Sequence, residues 1–156
     1  MDKPEVNILL VEDDDLDAMA IERAIVKQKA PVRFIRLKDG QEALEFLRKG
    51  RITTNDVALP YLVLLDLNMP RMGGIEFLQE VRDDACLKDI VIFVLTTSSA
   101  EEDLIAAYNK NIAGYIVKGK MQEGANEILE MLNAYWRLIE FPKLPNKSNY
   151  SQDEVN

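Results

Sequence analysis

The stretch YLVLLDLNMPRMGG, residues 61–74, decides the fold. Its first five residues are apolar on both faces, the pattern of a strand buried from both sides in a parallel sheet. It then runs straight into Asp66, followed by Asn68, Pro70 and the pair Gly73–Gly74. Why a strand of that kind ends on a carboxylate is answered by the rest of the chain.

Four further short apolar runs recur along the chain: NILLV (7–11), VRFIRL (32–37), IVIFVL (90–95) and AGYIV (113–117). The first and third of these are again apolar on both faces, whereas VRFIRL interleaves Arg33 and Arg36 and is expected at a sheet edge. The segments between them read as helices: 16–28, carrying Leu16, Met19, Ala20 and Ala24; 40–48; 74–83; and 100–109. Asp39 with Glu42 three residues later resembles a capping box at the start of the second. The last helix is the clearest, because Ala125, Ile128, Leu129, Leu132, Tyr135, Trp136 and Ile139 repeat at i, i+3, i+4, i+7, a core-packing stripe. Five strand–helix units in strict alternation predict an α/β domain, a parallel sheet with helices on both faces. Residues 49–60, KGRITTNDVALP, read as a polar loop. One domain is expected over residues 1–139, with 140–156 as a C-terminal tail too short to form an output domain.

Composition narrows the chemistry. The chain has 156 residues, enough for a core without staples, and its single cysteine, Cys86, permits no internal disulfide. There is no histidine, which removes Ser-His-Asp and Cys-His catalysis and argues against a zinc site. A net charge of −8 argues against broad binding to nucleic acid, which needs clustered Lys and Arg. No apolar run approaches the ~18 residues of a membrane span, and MDKPEVN lacks a signal-peptide core, so a cytoplasmic location is expected.

Ligand sites in open parallel sheets lie beyond the carboxyl ends of the strands. There the sequence places Glu12, Asp13, Asp14 and Asp15 after the first strand, and Asp66 after the third. Thr96, Thr97 and Ser98 follow the fourth, and Lys118 the fifth. If strands one and three are neighbours, their carboxylates converge. Two unit charges ~4 Å apart cost about 4 kcal/mol at an effective dielectric of 20. Either one carboxyl group protonates or a cation sits between them, and oxygen-only ligands favour Mg²⁺ or another hard cation. Lys118 adds a point charge for a phosphoryl group, and a Thr hydroxyl can donate to its oxygens. Taken singly, each feature has a plainer reading. EDDD can cap and charge the next helix, which is all that is expected of Asp15, and Asp66 can be a turn residue.

As a set, LLVEDD (9–14), LVLLDLNMPRMGG (62–74), FVLTTSS (93–99) and GYIVK (114–118) resemble the receiver domain of two-component response regulators, over residues 7–139. The loop 49–60, VLTTSSAEEDLIAAY (94–108) and AYWRLIEFP (134–142) resemble the single-domain, CheY-like regulators associated with phytochromes. The resemblance implies a flavodoxin-like, doubly wound (βα)5 fold with strand order 2-1-3-4-5. It implies Asp66 as phospho-acceptor and Mg²⁺, with Mn²⁺ as a substitute, held by Asp13, Asp66 and the Asn68 backbone carbonyl, with Glu12 acting through water. Thr96 and Tyr115 resemble the switch pair and Lys118 the phosphoryl-binding lysine; Asn68 and Ser98 occupy lifetime-tuning positions. Where the family usually has Pro after that lysine, residue 119 is Gly. Such a chain is not an enzyme in the ordinary sense; it assists its own phosphorylation and dephosphorylation.

The implied donor is a sensor histidine kinase, of phytochrome type for this subgroup, and with no output domain the signal is expected to leave through a protein contact. A homodimer through the C-terminal helices and tail, using Tyr135, Trp136 and EFP, is a further expectation. Three rivals stay open: an Asp-nucleophile phosphohydrolase, a flavin or nucleotide module, and a receiver that binds partners without phosphorylation. The first lacks its D-x-D, since the sequence is Asp66-Leu67-Asn68, and EDDD would repel the phosphate of the second.

Overall fold

The computed structural model describes residues 6–50, 61–120 and 124–142. Five parallel strands, β1 (Val6–Val11), β2 (Val32–Leu37), β3 (Tyr61–Leu65), β4 (Val91–Thr96) and β5 (Gly114–Val117), form one sheet in the order β2-β1-β3-β4-β5. Between them run α1 (Asp15–Lys27), α2 (Gly40–Gly50), α3 (Gly74–Asp83) and α4 (Glu101–Tyr108), and α5 (Ala125–Leu138) closes the chain of elements. This is the flavodoxin-like arrangement, and β2, with its two arginines, lies at an edge.

The double-sided apolar character of β1, β3 and β4 has a direct cause. Successive side chains point to opposite faces. Ile8, Leu10, Leu62, Leu64, Phe93 and Leu95 pack against α1 and α5. Leu9, Val11, Val63, Leu65, Ile92 and Val94 pack against α2, α3 and α4. Both layers exclude water, so the polar residues buried in these strands are confined to their ends, Asn7 near the start of β1 and Thr96 at the end of β4.

Helix details depart from the sequence reading in four places. α1 buries Ala18, Ile21, Ala24 and Ile25, whereas Leu16 and Met19, expected on its apolar stripe, are 77% and 43% exposed. The helix starts one residue earlier and turns inward the stripe Ala18, Ile21, Ala24 and Ile25, whose three- and four-residue spacings keep them on one face. Asp14, not Asp15, is the N-cap: its side chain accepts the Asp17 N–H at 3.0 Å, while Asp15 pairs with Arg36 at 2.8 Å. α2 runs on through Gly50, two residues into the expected loop; residues 51–60 lie outside the described residues. Asp39 does accept the Glu42 N–H at 2.9 Å, but Glu42 reaches back to the Lys38 N–H at 3.0 Å, one residue beyond a standard capping box.

The α5 stripe is core, as expected: Ile128, Leu129, Leu132 and Trp136 are buried. Tyr135 stacks edge-on against Phe93 and Phe141, with ring centroids 5.2 and 6.2 Å apart. Trp136 therefore serves the interior and not a dimer surface; the exposed apolar residues of this region are Met131, Leu138 and Ile139. Residues 139–142 are irregular, and the remainder of the expected tail lies outside the described residues. Among the described residues no helix is long and apolar enough to cross a membrane.

Candidate functional site

Strand order reverses between β1 and β3, and the site forms at their carboxyl ends. Val11 pairs with Leu65, so the next residues, Glu12 and Asp66, emerge side by side. The Asp66 N–H extends the ladder to the Val11 carbonyl at 3.0 Å, and the Glu12 N–H reaches the Leu37 carbonyl at 2.9 Å. Glu12 and Asp66 are both buried, and Asp13 is exposed. One carboxylate oxygen from each of Glu12, Asp13 and Asp66 falls in a group whose members all lie within 4.8 Å of one another. The strands thus hold three acids together at the mouth of the switch point.

Electrostatics follow from that crowding. Burial pushes the Glu12 pKa up to about 7; its hydrogen bond from Lys118 opposes this, and the Asp66 charge adds to it. Lys118 occupies a short 3₁₀ turn, Lys118–Lys120, directly after β5. Its ammonium donates to Glu12 Oε2 and Asp17 Oδ2, each at 2.7 Å. Burial pulls its pKa down, but bonds to Asp17 and Glu12 outweigh this, and the net direction is up. A lysine here stays charged. The Lys118–Gly119 peptide is trans.

The donor set fits a hard divalent ion. It consists of carboxylate oxygens, one of them facing solvent, which leaves room for the waters that Mg²⁺ and Mn²⁺ retain. Asn68 sits just beyond, exposed, with its N–H 3.3 Å from Asp66 Oδ1.

The loop carrying Asn68 is braced on both sides. Gly74, at the start of α3, packs so closely that a Cβ would lie 2.6 Å from both the Asp66 carbonyl oxygen and Leu67 Cα. Glycine is required there by proximity; at Gly73 a Cβ would meet nothing nearer than 3.6 Å. Arg71 adopts a left-handed φ of 63° and its guanidinium pairs with buried Asp39, while the Gly40 N–H donates to the Met72 carbonyl at 3.3 Å. Burial raises the Asp39 pKa, yet the Glu42 N–H and Arg71 outweigh it and hold the carboxyl below its ordinary range.

The expected switch residues lie together on the β4–β5 side. Thr96 is fully buried at the end of β4, and its Oγ1 accepts the Ser98 N–H at 3.3 Å. Tyr115 donates its hydroxyl to the Ser98 carbonyl at 3.0 Å, and burial raises its pKa. Ser98 Oγ donates to Asp103 Oδ2 at 2.5 Å. The site residues named from sequence therefore fall at or near the carboxyl ends of β1, β3, β4 and β5. Asp17, Arg71 and Asp103 were missed, and Asp39 was read only as a helix cap, without its pairing to Arg71. Asp17 stands three residues after the N-cap, a position that reads as ordinary helix chemistry, and its partner is 101 residues away in the chain.

Known proteins extend this picture. The family model for the response regulator receiver domain matches residues 8–133. The probable methanogenesis regulatory protein FilR2 of Methanothrix harundinacea is 37% identical over 133 residues, covering 83% of this chain and 82% of that protein. The response regulator Rcp1 of Synechocystis sp. is 33% identical over 133 residues, covering 85% and 90%. The crystal structure of Mn²⁺-bound Rcp1 superposes with a TM-score of 0.73 at 32% identity, covering 89% of this chain and 99% of that one. The phosphorylated cyanobacterial phytochrome response regulator RcpA does so with a TM-score of 0.75 at 32% identity, covering 87% and 97%. With a doubly wound sheet, an acid triad at its switch point and this match across its length, the chain belongs to the response regulator receiver domain family of two-component signalling.

Proposed function

We propose that this protein accepts a phosphoryl group on Asp66 from a phosphohistidine of a sensor histidine kinase and thereby switches a protein-contact surface. The observation that carries the reading is the convergence of Glu12, Asp13 and Asp66 within one small oxygen cluster beside the Lys118 ammonium. A chain without histidine must take the group from outside.

In the step, an Asp66 carboxylate oxygen attacks phosphorus, the new O–P bond forms, and the P–N bond to the donor imidazole breaks, leaving an acyl phosphate. Asp13 and Asp66, with the Asn68 carbonyl and Glu12 through water, would hold Mg²⁺, or Mn²⁺ in its place. The ion supplies charge neutralisation at the phosphoryl oxygens. Lys118 binds one of those oxygens as a point charge. Burial on the sheet fixes the direction of the Asp66 side chain, which favours a single line of attack. The Thr96 hydroxyl turns from Ser98 toward the phosphoryl group, and Tyr115 gives up its bond to the Ser98 carbonyl. The surface of α4, β5 and α5 changes as a result. The likeness to Rcp1 and RcpA supports a phytochrome-type kinase as donor. The working unit is residues 1–139, acting in the cytoplasm on itself and not on an external substrate; a dimer through α5 and the segment after it would use Met131, Leu138 and Ile139, which are exposed.

Intact mass after incubation with acetyl phosphate and Mg²⁺ tests this reading. The wild-type chain gains one phosphoryl group, neutral hydroxylamine removes it, and Asp66→Asn gains none. An unlabelled wild type, under conditions that label another receiver, would leave a partner-binding module without phosphorylation as the better account.

A further inference from the structure

The Lys118 ammonium lies beside the oxygen cluster, but neither of its hydrogen bonds goes to Asp66. Its hydrogen bonds go to Glu12 and to Asp17, while Asp66 acts on it by charge alone. Glu12 is a site carboxylate, but Asp17 is not: it belongs to the first turn of α1 and its side chain is 45% exposed. A second link joins the same two parts of the chain. Gln28, at the C-terminal end of α1, donates its side-chain amide to the Asn126 carbonyl in the first turn of α5 at 3.0 Å. Lys118, just after β5, and Asn126, in α5, are thus both tied to α1, the first through its ammonium.

We propose that Asp17 is a positioning residue that competes with the phosphoryl group for Lys118, holding the ammonium on the α1 side of the site until phosphorylation draws it away. The proposal rests on the reading of Asp66 as acceptor. Its physical basis is a contest between two anions for one cation. Asp17 offers a single carboxylate at a half-exposed position, where an ion pair is weak. A phosphoryl group on Asp66 offers roughly −1.5 to −2 charges and three acceptor oxygens. The second wins, but only after the first has been displaced, so Asp17 lowers the affinity of the site for a phosphoryl group. Release of Asp17 also loosens the first turn of α1, beside the exposed Leu16 and Met19.

The test is the affinity of the full chain for beryllium fluoride at saturating Mg²⁺, by titration calorimetry, for wild type, Asp17→Asn, Lys118→Ala and the double variant. Asp17→Asn binds about fivefold more tightly than wild type. In the Lys118→Ala background the same change shifts affinity by less than about twofold, since the contest no longer exists. Asp15→Asn removes the same charge from the same helical turn without touching Lys118, and shifts it by less than about twofold. Equal or weaker binding by Asp17→Asn, with wild type binding normally, overturns the role of Asp17 alone. An equal gain in Asp15→Asn, or in the Lys118→Ala background, reduces Asp17 to general charge and also overturns it. A wild type that neither binds beryllium fluoride nor takes label from acetyl phosphate removes the acceptor reading, and this one with it.

Discussion

Replacing Gly74 by alanine adds one methyl group at the tightest point of the site. Two favourable effects come first. Gly74 is the first residue of α3, directly after the N-cap Gly73, so alanine gains less there than the roughly 1 kcal/mol of a helix interior, and stiffening the unfolded chain accounts for part of that gain. Gly74 has no left-handed φ among the glycines of that kind, so neither effect is lost to strain. Against them stands the clash. The new Cβ meets the Asp66 carbonyl oxygen and Leu67 Cα at 2.6 Å and Leu67 Cδ2 at 2.8 Å. Two of the three are backbone atoms and cannot rotate away, so strand end and helix must separate by roughly 1 Å. Overpacking of this sort costs about 1–3 kcal/mol and more when backbone must yield. The net is a loss of about 2 kcal/mol, or roughly 4–8 °C in Tm for a chain of this size. Function falls further, because the displaced atoms belong to Asp66, the proposed acceptor, and to its neighbour Leu67: a misplacement of ~1 Å can cost on the order of a hundredfold in rate. Thermal or urea unfolding and the rate of labelling by acetyl phosphate measure the two effects. Gly73→Ala and Gly119→Ala serve as controls, with nothing nearer than 3.6 Å and nothing within 4 Å respectively. If Gly74→Ala unfolds within about 0.5 kcal/mol of wild type and labels at the same rate, the claim that proximity dictates glycine here is wrong.

Other expectations follow from the electrostatics and the bracing. Glu12, raised from 4.5 to about 7, keeps a proton in the folded metal-free protein that the unfolded chain loses near 4.5. Stability from this group is therefore full below about pH 4.5 and is lost as pH rises through 7, so the urea midpoint in EDTA falls across that window and Glu12→Gln flattens the fall. Mg²⁺ affinity moves the opposite way, rising roughly tenfold per pH unit below 7 and levelling above, because binding displaces that proton; a calorimetric affinity flat from pH 5 to 7 contradicts it. Arg82 donates to the carbonyls of Lys110, Lys88, Ile90 and Asn111 at 2.6–3.0 Å, joining α3 to the entrances of β4 and β5. A lysine cannot span four acceptors, so Arg82→Lys should cost about 2 kcal/mol in urea unfolding while leaving the stoichiometry of labelling unchanged.

Much of this was legible in the chain because it is written in local or strongly periodic signals. Apolar residues without alternation at 61–65 mean burial from both sides, whatever the neighbours are, and acids directly after such strands must meet at the sheet's end. Strand identity, strand ends and the residues Glu12, Asp13, Asp66, Thr96 and Lys118 come from that logic. Which face of α1 turns inward did not, because Leu16 and Met19 are as apolar as Ile21 and Ile25, and only the packing of the helix against the sheet and α5 selects among them. Nor did the partners of charged groups. Lys118 with Asp17, Arg71 with Asp39 and Arg82 with its four carbonyls join segments far apart in sequence or depend on loop geometry. A charge can be satisfied by any opposite group within reach, and reach exists only once the chain has folded.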